Sequence, residues 1–417
     1  MRSRILERTH IKSFGGTLRQ QGSMLLILLT ALILLTACEM PTPISPASTP
    51  LSAPVGQEIA FITHVGGAAN NAYAAFQSLH EGEEVNVPQG GSVTIVCQNG
   101  YVYRIVDGTT VVITNQRCES GQSLPNDEEQ RVAPDQGRIV NNEGSLELEE
   151  GARDRESDYG RIPVILDPRN TTLAELTPTI TWIGLDDALE YELSLSALAP
   201  LPTVVLDAAA VTCQPDERFG ATQACSVAWP QDQWPLEPGE RYFLTISARL
   251  DFAGPLRPSE RSALRTLPVD EAEALQSKQT AIEALDIDEV TRSLLAAGTY
   301  AKYQLFGDAI RAYEEALALQ PVPLVYVTLG DLYRQIELNR YAFEAYQTAL
   351  DLTDEGQDLS VHAAAEYGIG LVLYSRSNFA EAETHFATAL DIYRQAGADE
   401  EVAMTETALA KTKKRIP

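Results

Sequence analysis

The sequence predicts two all-β domains in tandem followed by an all-α array of helical repeats, and three features carry that expectation. Residues 57–150 hold β-branched and aromatic runs punctuated by glycine, such as Gly91-Ser92-Val93-Thr94-Ile95-Val96-Cys97. Residues 162–268 hold runs that alternate apolar and polar positions, clearest in Leu189-Glu190-Tyr191-Glu192-Leu193-Ser194-Leu195 and Tyr242-Phe243-Leu244-Thr245-Ile246-Ser247-Ala248. From 269 to 417 the text turns to Ala, Leu, Glu and Tyr, and a pattern recurs every 33–40 residues.

The chain opens on a leader. Arg2, Arg4, Arg8, Lys12 and Arg19, against Glu7 alone, precede an apolar or small run from Met24 to Ala37. That is the charge layout of an export signal, and the run is shorter than the ~20 residues that cross a bilayer. Its end, Leu35-Thr36-Ala37-Cys38, resembles the lipobox of bacterial lipoproteins. The resemblance implies cleavage before Cys38 and acylation of that cysteine, so residues 1–37 read as a lipoprotein signal peptide. Acyl chains hold a protein on a membrane because each buried CH₂ contributes ~0.8 kcal/mol. The expected location is a cell membrane, lipid-anchored and facing the periplasm or the cell exterior. Residues 38–56, with Pro41, Pro43, Pro46, Pro50 and Pro54, read as an extended tether.

Charge narrows the partners. The chain carries −27; without its leader, 26 basic residues face 57 acidic ones, a formal charge of −31. Such a surface excludes general nucleic-acid binding and opposes electrostatic adsorption to anionic lipid. Of five cysteines, Cys38 belongs to the leader's end, and Cys97 with Cys118 and Cys213 with Cys225 fall pairwise within one predicted domain each. An even count in an exported chain reads as two disulfides, and the spacing lacks the Cys-x-x-Cys or His pattern of zinc sites.

In the first β domain, Tyr101-Val102-Tyr103-Arg104-Ile105-Val106 and Thr110-Val111-Val112-Ile113 follow the run ending at Cys97, with Asn99-Gly100 suited to a tight hairpin turn. Leu79-His80-Glu81-Gly82-Glu83 and Cys97-Gln98-Asn99-Gly100-Tyr101 resemble the recurring steps of FecR-type β domains. That resemblance implies a module outside the cytoplasmic membrane that takes part in signalling or envelope binding, with an envelope polymer as a partner class. The signalling members carry a cytoplasmic segment ahead of the membrane, which a lipobox would remove here. Residues 122–160 read as polar loop apart from Arg138-Ile139-Val140 and Ser145-Leu146-Glu147-Leu148, and 151–161 as linker; the acidic Asp127-Glu128-Glu129 reads as solvated charge.

In the second β domain, Leu236-Glu237-Pro238-Gly239-Glu240-Arg241-Tyr242 resembles the tyrosine corner of fibronectin type III domains, and Trp182 stands where immunoglobulin-like sandwiches place a core tryptophan. The resemblance implies a spacer or binding sandwich. Trp229 and Trp234 suit either a sugar-stacking surface or core packing, the latter the better fit.

The helical repeat rests on Ala309, Tyr313 and Ala316, which recur as Ala342, Tyr346 and Ala349 and again as Ala382, Phe386 and Ala389. Leu329-Gly330 and Ile369-Gly370 sit upstream in the second and third units, with Ala296-Ala297 in the first. This resembles the tetratricopeptide repeat, whose small residues let paired helices approach and whose stacked first helices line a concave groove. The resemblance places Val327, Asp331, Arg334, Tyr367, Leu371 and Tyr374 on that face, as a groove for a partner's peptide or helix; inter-repeat core is the competing reading for Leu371 and one tyrosine. No phosphate loop, nucleophile elbow or His-Glu-x-x-His helix occurs. The expectation is a non-enzymatic scaffold without cofactor or metal, with an envelope sensor as the alternative.

Overall fold

The computed structural model describes residues 58–73, 77–97, 102–106, 108–114, 128–130, 160–198, 200–215, 223–353 and 359–416. A β region up to 266 is followed by eight helices between 269 and 413, the layout read from the sequence. Cys38 and the tether, Cys118, Asn99-Gly100 and the runs at 138–140 and 145–148 lie outside the described residues.

The first β unit comprises β1 (Glu58–Gly67), β2 (Ser78–His80), β3 (Glu84–Asn86), β4 (Gly91–Cys97), β5 (Val102–Val106), β6 (Thr110–Val112) and β7 (Glu128–Gln130). Its main sheet runs β2-β1-β4-β5-β7, and β3 pairs with β6. Strand β4 occupies the glycine-led run predicted for it, because its β-branched side chains fill a pleated surface around Val93, Ile95 and Ile105. Gly82, at φ +89°, makes the turn before β3 and donates its N–H to Ile113 O at 2.7 Å. The acidic run is not plain loop: Glu128–Gln130 pairs antiparallel with β5, setting Glu128 beside Arg104. An edge strand tolerates charged side chains, which is why composition alone hid it.

The second unit is a two-sheet sandwich. Strands β8 (Val164–Asp167), β10 (Thr179–Ile183), β13 (Thr212–Pro215) and β14 (Gln223–Ala228) form one sheet in the order β13-β14-β10-β8. Strands β9 (Thr171–Leu173), β11 (Glu190–Ser196), β12 (Val204–Asp207), β15 (Arg241–Arg249) and β17 (Ser262–Thr266) form the other, β12-β11-β15-β17-β9, with β16 (Arg257–Pro258) on β15. Alternation along β11 turns Tyr191, Leu193 and Leu195 inward, where they meet Trp182, Trp234, Leu244 and Ile246. Trp182 meets Tyr191 edge-on at 5.2 Å. The hydroxyl of Tyr242 accepts the N–H of Glu237 at 2.9 Å, fixing the corner before β15. Cys213 and Cys225 stand opposite each other on β13 and β14 and are joined by a disulfide. Cys97 is also disulfide-bonded.

The helices are α1 (Val269–Glu283), α2 (Glu289–Lys302), α3 (Phe306–Leu319), α4 (Pro323–Gln335), α5 (Asn339–Leu352), α6 (Leu359–Ser375), α7 (Phe379–Ala396) and α8 (Asp399–Lys413). Asp288 caps α2 by accepting the N–H of Thr291 at 2.9 Å, and Gly397 ends α7 in the left-handed conformation. Three turns, between α2 and α3, α4 and α5, and α6 and α7, share one geometry. Gln304, Glu337 and Ser377 each adopt φ near +60° and return their N–H groups to Ala301, Arg334 and Tyr374.

The sandwich docks on two of those turns. Arg169, only 4% exposed, donates from Nε to Ile336 O at 2.7 Å and from Nη2 to Glu260 at 3.1 Å, with Glu337 3.5 Å away. Thr171 Oγ1 accepts the N–H of Phe306 at 2.8 Å and so caps α3, whose own N-cap position, Leu305, has no side-chain acceptor. Thr172 N–H donates to Gln304 O at 2.9 Å. Phe61 and Val96 of the first β unit and Ile183 of the sandwich join the same apolar core as the helices.

At this junction Asp167 packs against Gly307, where a Cβ would lie 2.4 Å from its Oδ1. Burial pushes the Asp167 carboxyl up from 3.8 to about 6, Arg311 opposing and Asp308 adding to the rise. A carboxyl raised on folding stabilises below its unfolded value and loses that contribution as pH climbs through its folded value. Asp167→Asn should therefore flatten the stability–pH curve between about pH 4 and about pH 6. Because the side chain is 35% exposed, the gain above that window should be about 1 kcal/mol, read from urea midpoints across pH.

Candidate partner-binding site

The residues expected to line a groove come from α4 and α6, and the structure divides them. Val327, Tyr367, Leu371 and Tyr374 are buried, Tyr367 to 2% exposure. Tyr367 packs on Phe386 at 5.3 Å and Tyr374 on Phe379 at 5.3 Å. These four side chains belong to the core between helices rather than to an open face. The apolar and aromatic types that suit a groove suit a core equally well, so the sequence alone could not separate them. Asp331 and Arg334 are partly buried, with the Nε of Arg334 fully out of solvent.

Asp331 and Arg334 are joined by Tyr346, one of the aromatic positions of the repeat pattern. Tyr346 of α5 donates its hydroxyl to Asp331 Oδ1 at 2.6 Å. Its ring lies in a slot between two glycines. A Cβ on Gly330 would come 2.6 Å from Cε1, and one on Gly368 would come 2.4 Å from Cζ. Only glycine leaves room there, so the Leu-Gly step of α4 is a consequence of where the aromatic of α5 must go. The third unit repeats the device: a Cβ on Gly370 would come 2.6 Å from Phe386 Cε1.

Electrostatics follow from that burial. The Asp331 carboxyl is raised by burial, while the charge of Arg334 and the hydrogen bond from Tyr346 pull the other way. The Tyr346 phenol is raised well above its ordinary value by burial and by the adjacent Asp331 charge, with Arg334 opposing. Burial raises the Tyr367 phenol too, Arg334 working against the rise and Asp331 with it. An arrangement of this kind holds protons in place and orients helices. It presents no activated nucleophile: the hydroxyl of Tyr346 is committed to Asp331.

Other candidates resolve individually. Trp229 and Trp234 are buried in the sandwich and meet edge-on at 5.4 Å, their indole N–H groups donating to Trp234 O and Pro202 O. They are core, as expected from their better fit. His385 of α7 lies 2.6 Å from Glu366 of α6, a contact between neighbouring helices. His80 and Glu83 lie 3.6 Å apart beside the Gly82 turn. Among the described residues, no group of three His, Cys, Asp or Glu side chains has metal-binding geometry. No protein-family model matches the chain, and no curated protein matches it in sequence.

Two replacements probe the slot. Tyr346→Phe keeps the ring but removes the donor to Asp331, and should lower unfolding stability by about 1–3 kcal/mol. Tyr367→Ala removes a core ring and should cost about 3–5 kcal/mol. Chemical denaturation monitored on the helices measures both; a Tyr367→Ala protein of unchanged stability would return that residue to an open surface.

Proposed function

We propose that the chain is a non-enzymatic envelope lipoprotein, anchored through Cys38, that holds a protein partner on a rigid multi-unit scaffold. In this reading the helices form a tetratricopeptide-type array, the preceding unit is a fibronectin type III-like sandwich, and the first unit is FecR-like. The observation that carries the reading is repetition: one turn geometry recurs at Gln304, Glu337 and Ser377, and one glycine–aromatic slot recurs at Gly330 and Gly370. Repeats of that kind expose surface in proportion to their length and serve binding far more often than catalysis. The hydroxyl of Tyr242 bonded to the Glu237 backbone supports the sandwich assignment.

Burial of Val327, Tyr367, Leu371 and Tyr374 narrows the proposed groove to the partly buried pair Asp331 and Arg334 on α4. The partner would meet this pair with polar groups rather than by inserting an apolar helix. A polar rim of this type sets specificity and association rate more than affinity.

The sensor reading keeps one observation in its favour. Phe61 and Val96 of the first β unit share an apolar core with the helices, so a ligand on that unit would bear mechanically on the array. Under it, an envelope polymer would be the ligand.

Crosslinking in whole cells, followed by mass spectrometry, tests the scaffold. Wild-type protein should fractionate with membranes and recover a protein partner, and Arg334→Ala should lower that recovery by more than Tyr346→Phe, which loosens the same buried cluster but keeps the charge. Cys38→Ala should move the protein to the soluble fraction. Recovery that is the same with Arg334→Ala sinks the groove assignment, and an unmodified N-terminal peptide in wild type sinks the anchor.

A further inference from the structure

Sheet margins present unpaired backbone N–H and C=O groups, and stable folds cover or blunt them. The sandwich has four such margins, at β8, β9, β12 and β13. Three are occupied. Thr172 of β9 donates to Gln304 O in the helical region. Beside the helices, β8 packs Val164 and Leu166 on the helical core, and its Ile165 carbonyl faces Arg169 Nη1 at 3.4 Å. Strand β13 ends at Pro215 and is tied to β14 by the Cys213–Cys225 disulfide.

Strand β12 has none of these protections. Among the described residues it pairs only with β11, in a register that runs without a bulge from Val204 to Asp207. The strand is short, Val204-Val205-Leu206-Asp207, with neither Lys nor Pro in it and its one charge at its end, where Asp207 Oδ1 accepts the N–H of Ala209 and leaves Oδ2 for an incoming cation. Val205 is 57% exposed and Leu198, in the loop leading to the strand, is fully exposed. Apolar side chains at an open margin are a liability unless something comes to cover them.

We propose that β12 is a docking edge that accepts an extended, cationic segment of a partner polypeptide as an added strand. Charge selects this occupant. The register sets Glu192 beside Val205 and Glu190 beside Asp207, and Asp186 and Asp187 precede β11. Arg249 of β15 pairs with both glutamates, which still leaves the margin acidic. A second copy would bring the same acidic margin and a chain charge of −27 against it. An incoming strand with Lys or Arg opposite Asp207, and apolar residues continuing the row of Val204 and Leu206, matches both faces. Main-chain bonds would supply affinity and the alternating side chains selectivity. This inference depends on neither the lipid anchor nor the repeat assignment.

The test uses the full chain in detergent solution with a short alternating lysine–valine peptide and its glutamate–valine counterpart. The lysine peptide should slow hydrogen exchange of the amides at 204–207. Val205→Pro, which removes an edge N–H, should weaken its binding about tenfold or more. Val205→Lys should weaken it as well while keeping the strand intact, and it decides the matter if the proline variant does not fold. Equal binding to the Val205→Lys protein, equal affinity for the glutamate peptide, or protection confined to another region overturns the proposal. So does a dimer of the full chain, seen by sedimentation, that Val205→Lys abolishes.

Discussion

A buried guanidinium holds the two halves of this molecule together. Arg169 leaves the sandwich just after β8 and ends in the helical region, where Ile336 O accepts from Nε and Glu337 lies near Nη2. An arginine without water must find acceptors for its donors or pay several kcal/mol of desolvation. Here a backbone carbonyl from each half, Ile165 and Ile336, and a carboxylate from each half, Glu260 and Glu337, surround it. Ile336 ends α4 and Glu337 is the left-handed residue of the turn that follows, so the arginine also fixes where α5 begins. The neighbouring threonines act on the preceding turn in the same way, capping α3 from outside the helix. A helix that borrows its cap from another unit is positioned by that unit.

Within the helices a second constraint sets spacing. Tyr346 needs two glycines to lie flat between α4 and α6, and its hydroxyl needs Asp331. The aromatic ring and the acid together fix how closely neighbouring units approach, because neither moves without exposing a void or an unpaired buried group. The cost is that the first helices spend their aromatic residues on each other. The proposed partner surface is then confined to the partly buried Asp331 and Arg334 and to sheet margins such as β12.

Much of this was legible in the sequence. Runs such as Gly91–Cys97 became strands at the predicted residues because pleating and β-branching act locally. The glycine and aromatic positions of the helical repeat proved to be physical partners, since Gly330 meets Tyr346 and Gly370 meets Phe386. The Tyr242 corner was readable for the same reason: its bond spans five residues. What could not be read acts at long range or depends on a sum. Arg169 and Ile336 are 167 positions apart, and nothing in Pro168-Arg169-Asn170 announces a buried arginine. Strand β7 is acidic and finds its place only because β5 offers a free edge. Whether Tyr367 and Leu371 face a partner or a neighbouring helix depends on how tightly α4 and α6 pack, a distance that residue type does not encode.

The central claim is that sandwich and helices form one cooperative body clamped at Arg169. All three tryptophans, Trp182, Trp229 and Trp234, lie in the sandwich, so their fluorescence follows that unit alone. Far-ultraviolet circular dichroism follows the helices. Urea unfolding of the full chain read by both signals should give coincident curves in wild type, and in Arg169→Met the two should separate, the helices melting first. Separate transitions in wild type, or curves that stay superimposed when the arginine is gone, would contradict the account.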